Sequence, residues 1–319
     1  MKVHRAAREV VAVACLILSG TQSARAQVRF EHKFPEGKTL TYRTSSNAFQ
    51  SLTLGGMEIQ SRERKTIVVT QAIGKRHGDA SLPVEVRVRS LRAEMGFHGG
   101  TRLTFDSTQP DPKIDDSDFA PLIELCKLES AVAYTVVLDG RNQVKAIEGT
   151  EPLREQAARL DAIAREQIRS RIEPDRLKAQ FEQEHRILPE NPVKPGESWE
   201  RTETLDFGGQ ALSFRKRYEY AGTEKRSGKT LDKITCKVLE VKCLPDAGAA
   251  APLKVTKSDL KVESSEGTIL FDREAGVLVE SREQTRVKGT MTSSGGGTDT
   301  SSQTHLNLQN NTQLQPTAN

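Results

Sequence analysis

Four aspartates crowd one short stretch of this 319-residue chain: Asp111, Asp115, Asp116 and Asp118, with Ser117 between the last two. Hard oxygen ligands at such spacing are what Ca²⁺ takes. The stretch lacks the central glycine and the terminal glutamate of an EF-hand loop. It also leads into Phe119-Ala120-Pro121-Leu122, where Asp118 or Ser117 would cap a helix. Capping and solvation are the simpler account. The second candidate is His185, which follows Glu182 and Glu184 and could serve as a metal ligand or general base. The helical pattern around it makes a surface histidine the expected reading.

Other reactive types are scattered. His32, His77, His98 and His305 have no partner histidine at helical spacing, and G-x-S-x-G, H-E-x-x-H, Walker and G-x-G-x-x-G patterns are absent. Cys126, Cys236 and Cys243 form no C-x-x-C, so neither a redox dithiol nor a zinc knuckle is indicated. Cys236 and Cys243 are seven positions apart, which in one regular strand puts their side chains on opposite faces. Buried thiols are expected, with at most one disulfide among the three. No catalytic residue, cofactor site or metal ligand is assigned, and the expectation is a protein that is not an enzyme.

The first 26 residues carry a different kind of information. Lys2, Arg5 and Arg8 precede an apolar run from Val10 to Leu18, and Ala24-Arg25-Ala26 closes it. That is the pattern of a cleavable secretory signal, with a run too short to span a bilayer. The expected compartment is outside the cytoplasm: periplasm, envelope or exterior. Cys15 as a lipid-bearing first residue is the alternative. It follows Ala12-Val13-Ala14, where leucine is preferred three residues earlier, and Leu16-Ile17-Leu18 still continue the run. The leader holds four of the bases (Lys2, Arg5, Arg8, Arg25) and one acid (Glu9), so most of the net +4 leaves with it. A near-neutral remainder gives no electrostatic ground for a nucleic-acid partner. The basic runs Arg62-Glu63-Arg64-Lys65 and Arg215-Lys216-Arg217 read as solvated strand faces. Aromatics make up 5% of the chain, too few for a sugar-stacking platform, and the single tryptophan, Trp199, reads as core.

Elements must position these residues. Residues 27–150 read as a first antiparallel β unit. In its clearest strand Leu82, Val84, Val86 and Val88 face one side, and Glu85, Arg87 and Arg89 the other. Residues 151–188 switch to a helical period: Leu153, Ala157, Leu160, Ala164, Ile168 and Ile172, then Leu177, Phe181 and Leu188 after a break at Pro174. Arg154, Glu155, Arg159, Arg165, Glu166 and Arg169 form the polar face of this amphipathic arm. One short helical turn is expected near 118–127. Residues 189–312 return to strands, with a tip at 293–298, and 313–319 read as a disordered tail. The fold class is therefore mainly β with a helical insert (α+β): two similar antiparallel β units joined by the arm.

The two β units echo each other. Pro35-Glu36-Gly37-Lys38-Thr39-Leu40 opens the first and Pro195-Gly196-Glu197-Ser198-Trp199 the second. Hairpins with Asp139-Gly140 and Asp272…Gly276 sit near each end, as a diverged duplication would leave them. Four pieces carry a resemblance: Phe34–Tyr42, Leu138-Asp139-Gly140…Val144…Gly149, Leu188-Pro189…Gly196-Glu197-Ser198-Trp199, and Gly267–Asp272…Gly276-Val277-Leu278. With these the chain resembles an uncharacterised family, a domain of unknown function, of secreted bacterial β-rich proteins. The resemblance implies no activity and no site residues.

Three function classes stand. The first is an exported, non-enzymatic envelope or secreted protein that holds a small apolar ligand or lipid under the arm. The second is a structural or interaction module that meets another envelope protein. A hydrolase is the third. An aliphatic cavity under the arm favours the first and a packed interface there the second. No integral membrane segment is expected once the leader is removed.

Overall fold

The computed structural model describes residues 27–109, 119–160, 162–169, 171–207, 210–244, 254–295 and 298–316. The leader with Cys15 and the aspartates at 111, 115, 116 and 118 lie outside them. Twelve strands follow in chain order: β1 (Thr39–Leu54), β2 (Met57–Ile73), β3 (Leu82–Gly96), β4 (Arg102–Asp106), β5 (Ala133–Leu138), β6 (Val144–Glu148), β7 (Ser198–Phe207), β8 (Gln210–Arg226), β9 (Lys229–Cys243), β10 (Lys254–Asp272), β11 (Val277–Gly295) and β12 (Thr298–Leu314). They form one antiparallel sheet in the order β6-β5-β3-β2-β1-β12-β11-β10-β9-β8-β7, with β4 on β3. The mainly-β class with a helical insert is the observed one.

Each unit is a meander, and the units repeat one plan in their hydrogen bonds. In the first, Lys38 N donates to Pro35 O, Gly37 N to Ile73 O and Ile73 N to Lys38 O. In the second, Glu197 N donates to Lys194 O, Gly196 N to Tyr220 O and Tyr220 N to Glu197 O. Gly37 (φ 72°) and Gly196 (φ 92°) hold the left-handed conformation that both turns need. A β-bulge also recurs. In β3 it falls between Val88 and Ser90, and in β9 between Val238 and Glu240. Both lie six residues beyond corresponding hairpin partners, Leu82 opposite Leu138 and Asp232 opposite Phe271.

The bulge corrects the reading of the cysteines. It inverts the alternation within β9, so Cys236 and Cys243 end on the same face. No bridge forms: Cys126, Cys236 and Cys243 are free. Burial pushes the thiols of Cys126 and Cys236 up to about 12, which keeps them protonated and unreactive.

One sheet face, the inner one, carries the sheet residues of the core; the other is wet. Helices α1 (Ala120–Ser130), α2 (Glu151–Ala157), α3 (Ala162–Arg169) and α4 (Pro174–His185) cover the inner face of the first unit. Helix α1 is a full element of 11 residues rather than a short turn, because Ile123 and Cys126 find Leu91, Leu103 and Phe105 to pack on. The arm breaks twice, between Ala157 and Ala162 and before Pro174. Leu153, Ala157, Ala164, Ile168, Ile172, Leu177 and Phe181 are buried as the period requires, but Leu160, at the first break, is only half-buried. Arg165 is not an idle solvated side chain: its Nη2 donates to the carbonyls of Ala158 (3.2 Å) and Leu160 (2.9 Å), capping the end of α2.

The second unit rolls toward its inner face. Lys216 on β8 lies 2.7 Å from Glu203 on β7 and 2.6 Å from Glu283 on β11. On a flat sheet, β8 and β11 would stand about 14 Å apart, so the sheet curves strongly here. Gly267 on β10, between them, has no side chain in the way; a Cβ there would run into Cys236 Sγ and come within 3.1 Å of Glu283 Cγ. Tyr218 donates its hydroxyl to Glu203 as well. The solvated reading of Arg215-Lys216-Arg217 thus fails at its centre. Period two sends Arg215 and Arg217 out to Glu200 and Lys216 in. Lys65 likewise points inward, 2.9 Å from Glu129 of α1. An N-terminal strap closes the lower end of the second unit: Val28 bridges to Val193, and Phe30 packs edge-on against Tyr220 and Phe271.

The tail reading also needs correction. β12 continues to Leu314, paired with Tyr42 of β1, and Gln315 N donates to Thr41 O. Two stability differences follow from this packing. Ile168→Asp, which buries an unpaired charge, should cost about 4 kcal/mol, and Leu160→Asp clearly less. Gly267→Val should cost about 3 kcal/mol by overpacking the crossing of Glu283 over β10. Chemical denaturation of the three variants measures both; equal losses at 160 and 168 would contradict the observed arm.

Candidate functional site

The inner face is not covered everywhere. Helices lie over β3 to β6, and the second unit closes on itself through Leu212, Phe214, Val238, Val241, Val287 and Leu306. Between these two packed regions run β2, β1 and β12. Their inner residues Thr44, Ser46, Ala48, Leu52, Leu308 and Asn310 keep solvent-accessible surface. The result is a short trough over Thr44–Ala48 and Leu308–Asn310, about 5 residues or ~17 Å long; toward the hairpin tip Leu306, Thr304 and Ser302 of β12 are buried.

The two ends of this inner face differ. At one end β1 and β2 meet in a tight hairpin, with Gly55 (φ 56°) and Gly56 (φ 85°) supplying the two positive φ angles of a type I′ turn. Leu54 pairs with Met57 and Leu52 with Ile59 across it. The β1 and β2 registers contain no shift, so Leu54, Met57 and Ile59 face the same side as Tyr42. Leu205, near the same end of β7, is inward by its pairing with Leu212. These four are the exposed large apolar side chains among the described residues, Met57 the most open at 57%. All four share one face and one end.

The other end is polar and aromatic. Phe34, Phe181 and His185 stack, with ring centroids 4.2 Å apart between Phe181 and His185. His32 meets His185 edge-on at 4.6 Å and Phe271 at 5.4 Å. His185 is therefore not a surface helix residue. Its Nδ1 donates to Phe181 O at 2.7 Å, which leaves Nε2 as the acceptor of the neutral ring. Burial lowers the His185 pKa to about 4, and burial followed by the charge of His185 holds His32 well below its usual value. His32 Nε2 is buried with no partner. Beside them, Glu184 is solvent-accessible yet crowded enough that desolvation raises its pKa, against the pull of Gln180 and Arg171. Burial, then the neighbouring charge of Glu184, raises Tyr42 and Tyr134 in turn.

Sequence reasoning picked His185 and set it aside as a surface residue. It passed over His32, Glu184, Tyr42 and the apolar hairpin tip. The tip was legible in Leu54-Gly55-Gly56-Met57-Glu58-Ile59, which puts apolar residues around a two-glycine turn. Trp199 is core-associated as expected, half-buried, with Nε1 donating to Ile187 O at 2.8 Å. Among the described residues no three His, Cys, Asp or Glu side chains converge as metal ligands. No helix among them is long and apolar enough to cross a membrane. Two concavities stand out, neither beneath the arm. One of about 570 Å³ is bordered by Pro189, Val193, Trp199 and Arg201; one of about 620 Å³ lies on the outer face around Arg43, Arg64 and Arg92.

Residues 79–229, from before β3 to the end of β8, match DUF6263, a family of unknown function. The resemblance to an uncharacterised domain family is borne out. No curated protein matches the chain. Among solved structures, it is similar to lipovitellin, described for its lipid–protein interactions, at 10% identity and a TM-score of 0.39. That likeness covers 90% of this chain, which spans about a quarter (26%) of the lipovitellin chain. An outer membrane channel from Pseudomonas putida F1 is similar over 89% of this chain and 98% of its own, at 7% identity and a TM-score of 0.22. Likenesses this loose carry no inference about ligand or location.

A pH dependence follows from the histidines. Both have folded pKa values below the unfolded value of about 6.5. The stabilising effect of neutral His185 is complete above that value and is lost as pH falls through about 4, and His32 acts in the same direction. Glu184, raised when folded, works the other way by favouring the folded state at low pH. Thermal melts from pH 7 to 4 should therefore show a loss in the wild type that His185→Phe reduces, the difference being on the order of 2 kcal/mol. Identical profiles would mean His185 is not buried neutral.

Proposed function

We propose that this protein is an exported, non-enzymatic lipid-binding protein of the cell envelope, whose inner face takes an acyl chain at its apolar end. One observation carries the reading: three of the four exposed large apolar side chains, Leu54, Met57 and Ile59, face inward together at the β1–β2 hairpin tip. Exposed apolar groups gathered at one place mark contact sites. The open stretch over Thr44–Ala48 and the apolar tip lie on one face of β1, in line for a single extended acyl chain. Support for export is the leader pattern of Lys2, Arg5 and Arg8 before an apolar run and Ala24-Arg25-Ala26. The ligand sits beside the arm in this reading, not under it, because Ile168, Ile172, Leu177 and Phe181 fill the space beneath.

That packed arm favours a second reading, an interaction module in which the same apolar tip meets another envelope protein. Native mass spectrometry of the full-length protein from its own host, with titration of a fluorescent fatty acid, distinguishes the two. Lipid should co-purify, and Met57→Asp with Ile59→Asp should weaken fatty-acid binding about tenfold or more, ~1.4 kcal/mol, with an unchanged melting temperature. No co-purifying lipid and no fatty-acid binding would leave the interaction reading standing.

A further inference from the structure

The outer face over the β1–β12 seam bears a pattern that the trough does not use. Alternate residues of β12 point outward, and they are Gln303, His305, Asn307, Gln309, Asn311 and Gln313. The ladder widens onto β1, where Asn47 Nδ2 donates to Gln309 Oε1 at 3.3 Å. Oδ1 of Asn47, Asn307 and Asn311 is buried between neighbouring side chains with no hydrogen-bond partner, so the accessible amides of the strip are those of Gln303 and Gln309. Cations flank this amide strip. On β2, Arg64 is opposite Asn47, and Arg62 is opposite Phe49, its guanidinium 5.5 Å from the ring centroid. On β11, Arg282 is opposite Asn311, Arg286 opposite Asn307 and Lys288 opposite His305. These five side chains are exposed, and Arg43, also exposed, stands at the foot of the strip. Acids lie beside them: Glu263 is 2.6 Å from Lys288, Glu280 2.5 Å from Arg282 and Glu94 4.0 Å from Arg64, with Glu266 in the same row, so the positive excess rests on Arg43, Arg62 and Arg286. The concavity of about 620 Å³ opens at the margin of the strip, around Arg43, Arg64 and Arg92.

The chemistry of the strip selects a ligand class. Side-chain amides donate and accept at once, which suits hydroxyl groups. Arginines suit carboxylates and other planar or multidentate anions. The two rows of cations stand about three strand spacings apart, ~14 Å, and same-face residues recur every ~6.7 Å along a strand. A single extended chain with hydroxyls along its length and anionic groups at its sides fits between them. Single-stranded nucleic acid would need stacking platforms, and the strip has one aromatic, Phe49, already engaged by Arg62. We propose that this face binds an extended acidic polysaccharide, with its carboxylates on the flanking arginines and its hydroxyls on the amide strip.

The near-neutral charge of the chain beyond residue 26 does not oppose this, since recognition depends on local arrangement. Nor does the scarcity of aromatics, because an acidic glycan can be held by ions and amides without a stacking platform.

The test uses the full chain and three probes at about 0.15 M ionic strength: alginate, neutral dextran and oligo(dT). Affinity electrophoresis or calorimetry should show binding to alginate, none to dextran, and weaker binding to oligo(dT). Arg64→Ala with Arg286→Ala should weaken alginate binding about tenfold or more. Asn307→Asp with Gln309→Glu, which place carboxylates in the strip, should do the same. Lys225→Ala with Lys237→Ala, outside the strip, should leave binding unchanged. Absence of alginate binding, equal binding of dextran or oligo(dT), or equal losses in strip and control variants would each overturn the proposal.

Discussion

The first strand of the chain pairs with the last, and the rest of the architecture depends on that pairing. Thirteen residue pairs, from Tyr42–Leu314 to Leu54–Ser302, join β1 to β12. Without them the chain would be two separate meanders, each with two open edges. With them it is one sheet whose free edges are the short β6 and the β7 strand that the roll curls inward. The pairing also defines the site, because the trough floor is the inner side of this seam and the amide strip its outer side. Contacts between residues more than 240 positions apart are costly to form early, so the seam is a late step in folding.

The roll of the second unit depends on charge placed where a hydrophobic residue would ordinarily sit. By the repeated hydrogen-bond pattern, Lys216 occupies the position that Val69 holds in the first unit. Burial opposes its charge, but Glu283 and Glu203 reverse the balance and raise its pKa. A buried ion group of this kind adds little net stability, yet it penalises arrangements that break it. Only a curved sheet lets Lys216 reach across β9 and β10 to Glu283. The first unit, with Val69 at that position, leaves its curvature to the helices packed on it.

Much of the plan was legible in the residues. The alternation in Leu82–Val88, the helical period of the arm and the paired openings at Gly37 and Gly196 each report a local backbone preference, which sequence carries directly. What was missed depends on long-range geometry. The bulge in β9 follows from a partner strand, so the face of Cys243 could not be read from spacing. His185 lies on a helix that looks amphipathic and exposed until Phe34 and His32, some 150 residues earlier, are laid against it. Lys65 and Lys216 were judged by the charge of their neighbours when the strand period already sent them inward.

The trough itself has a compositional cause. Strands β1 and β12 carry small polar residues on both faces: Thr44, Ser46 and Asn310 inward, Ser45, Asn47 and Asn311 outward. Burying such a strand is costly, because each buried hydroxyl or amide without a partner costs about 1–3 kcal/mol. Helices stop short of the seam, and its inner face stays partly accessible at Thr44, Ser46, Leu308 and Asn310, while Thr304 and Leu306 are buried by the roll of the second unit. The same composition made residues after 312 look like a disordered tail. A polar strand at the centre of a sheet needs apolar flanks to hold it, and these are Leu306 and Val287 on one side and Ile67 and Leu91 on the other. Where the seam leaves those flanks, at the β1–β2 tip, its inner residues turn apolar again as Leu52, Leu54, Met57 and Ile59. Leu52 is half-buried and Leu54 and Ile59 stand just over a third exposed, so Met57, at 57%, is the side chain the described chain leaves most open, and the proposed lipid contact rests on it and its neighbours.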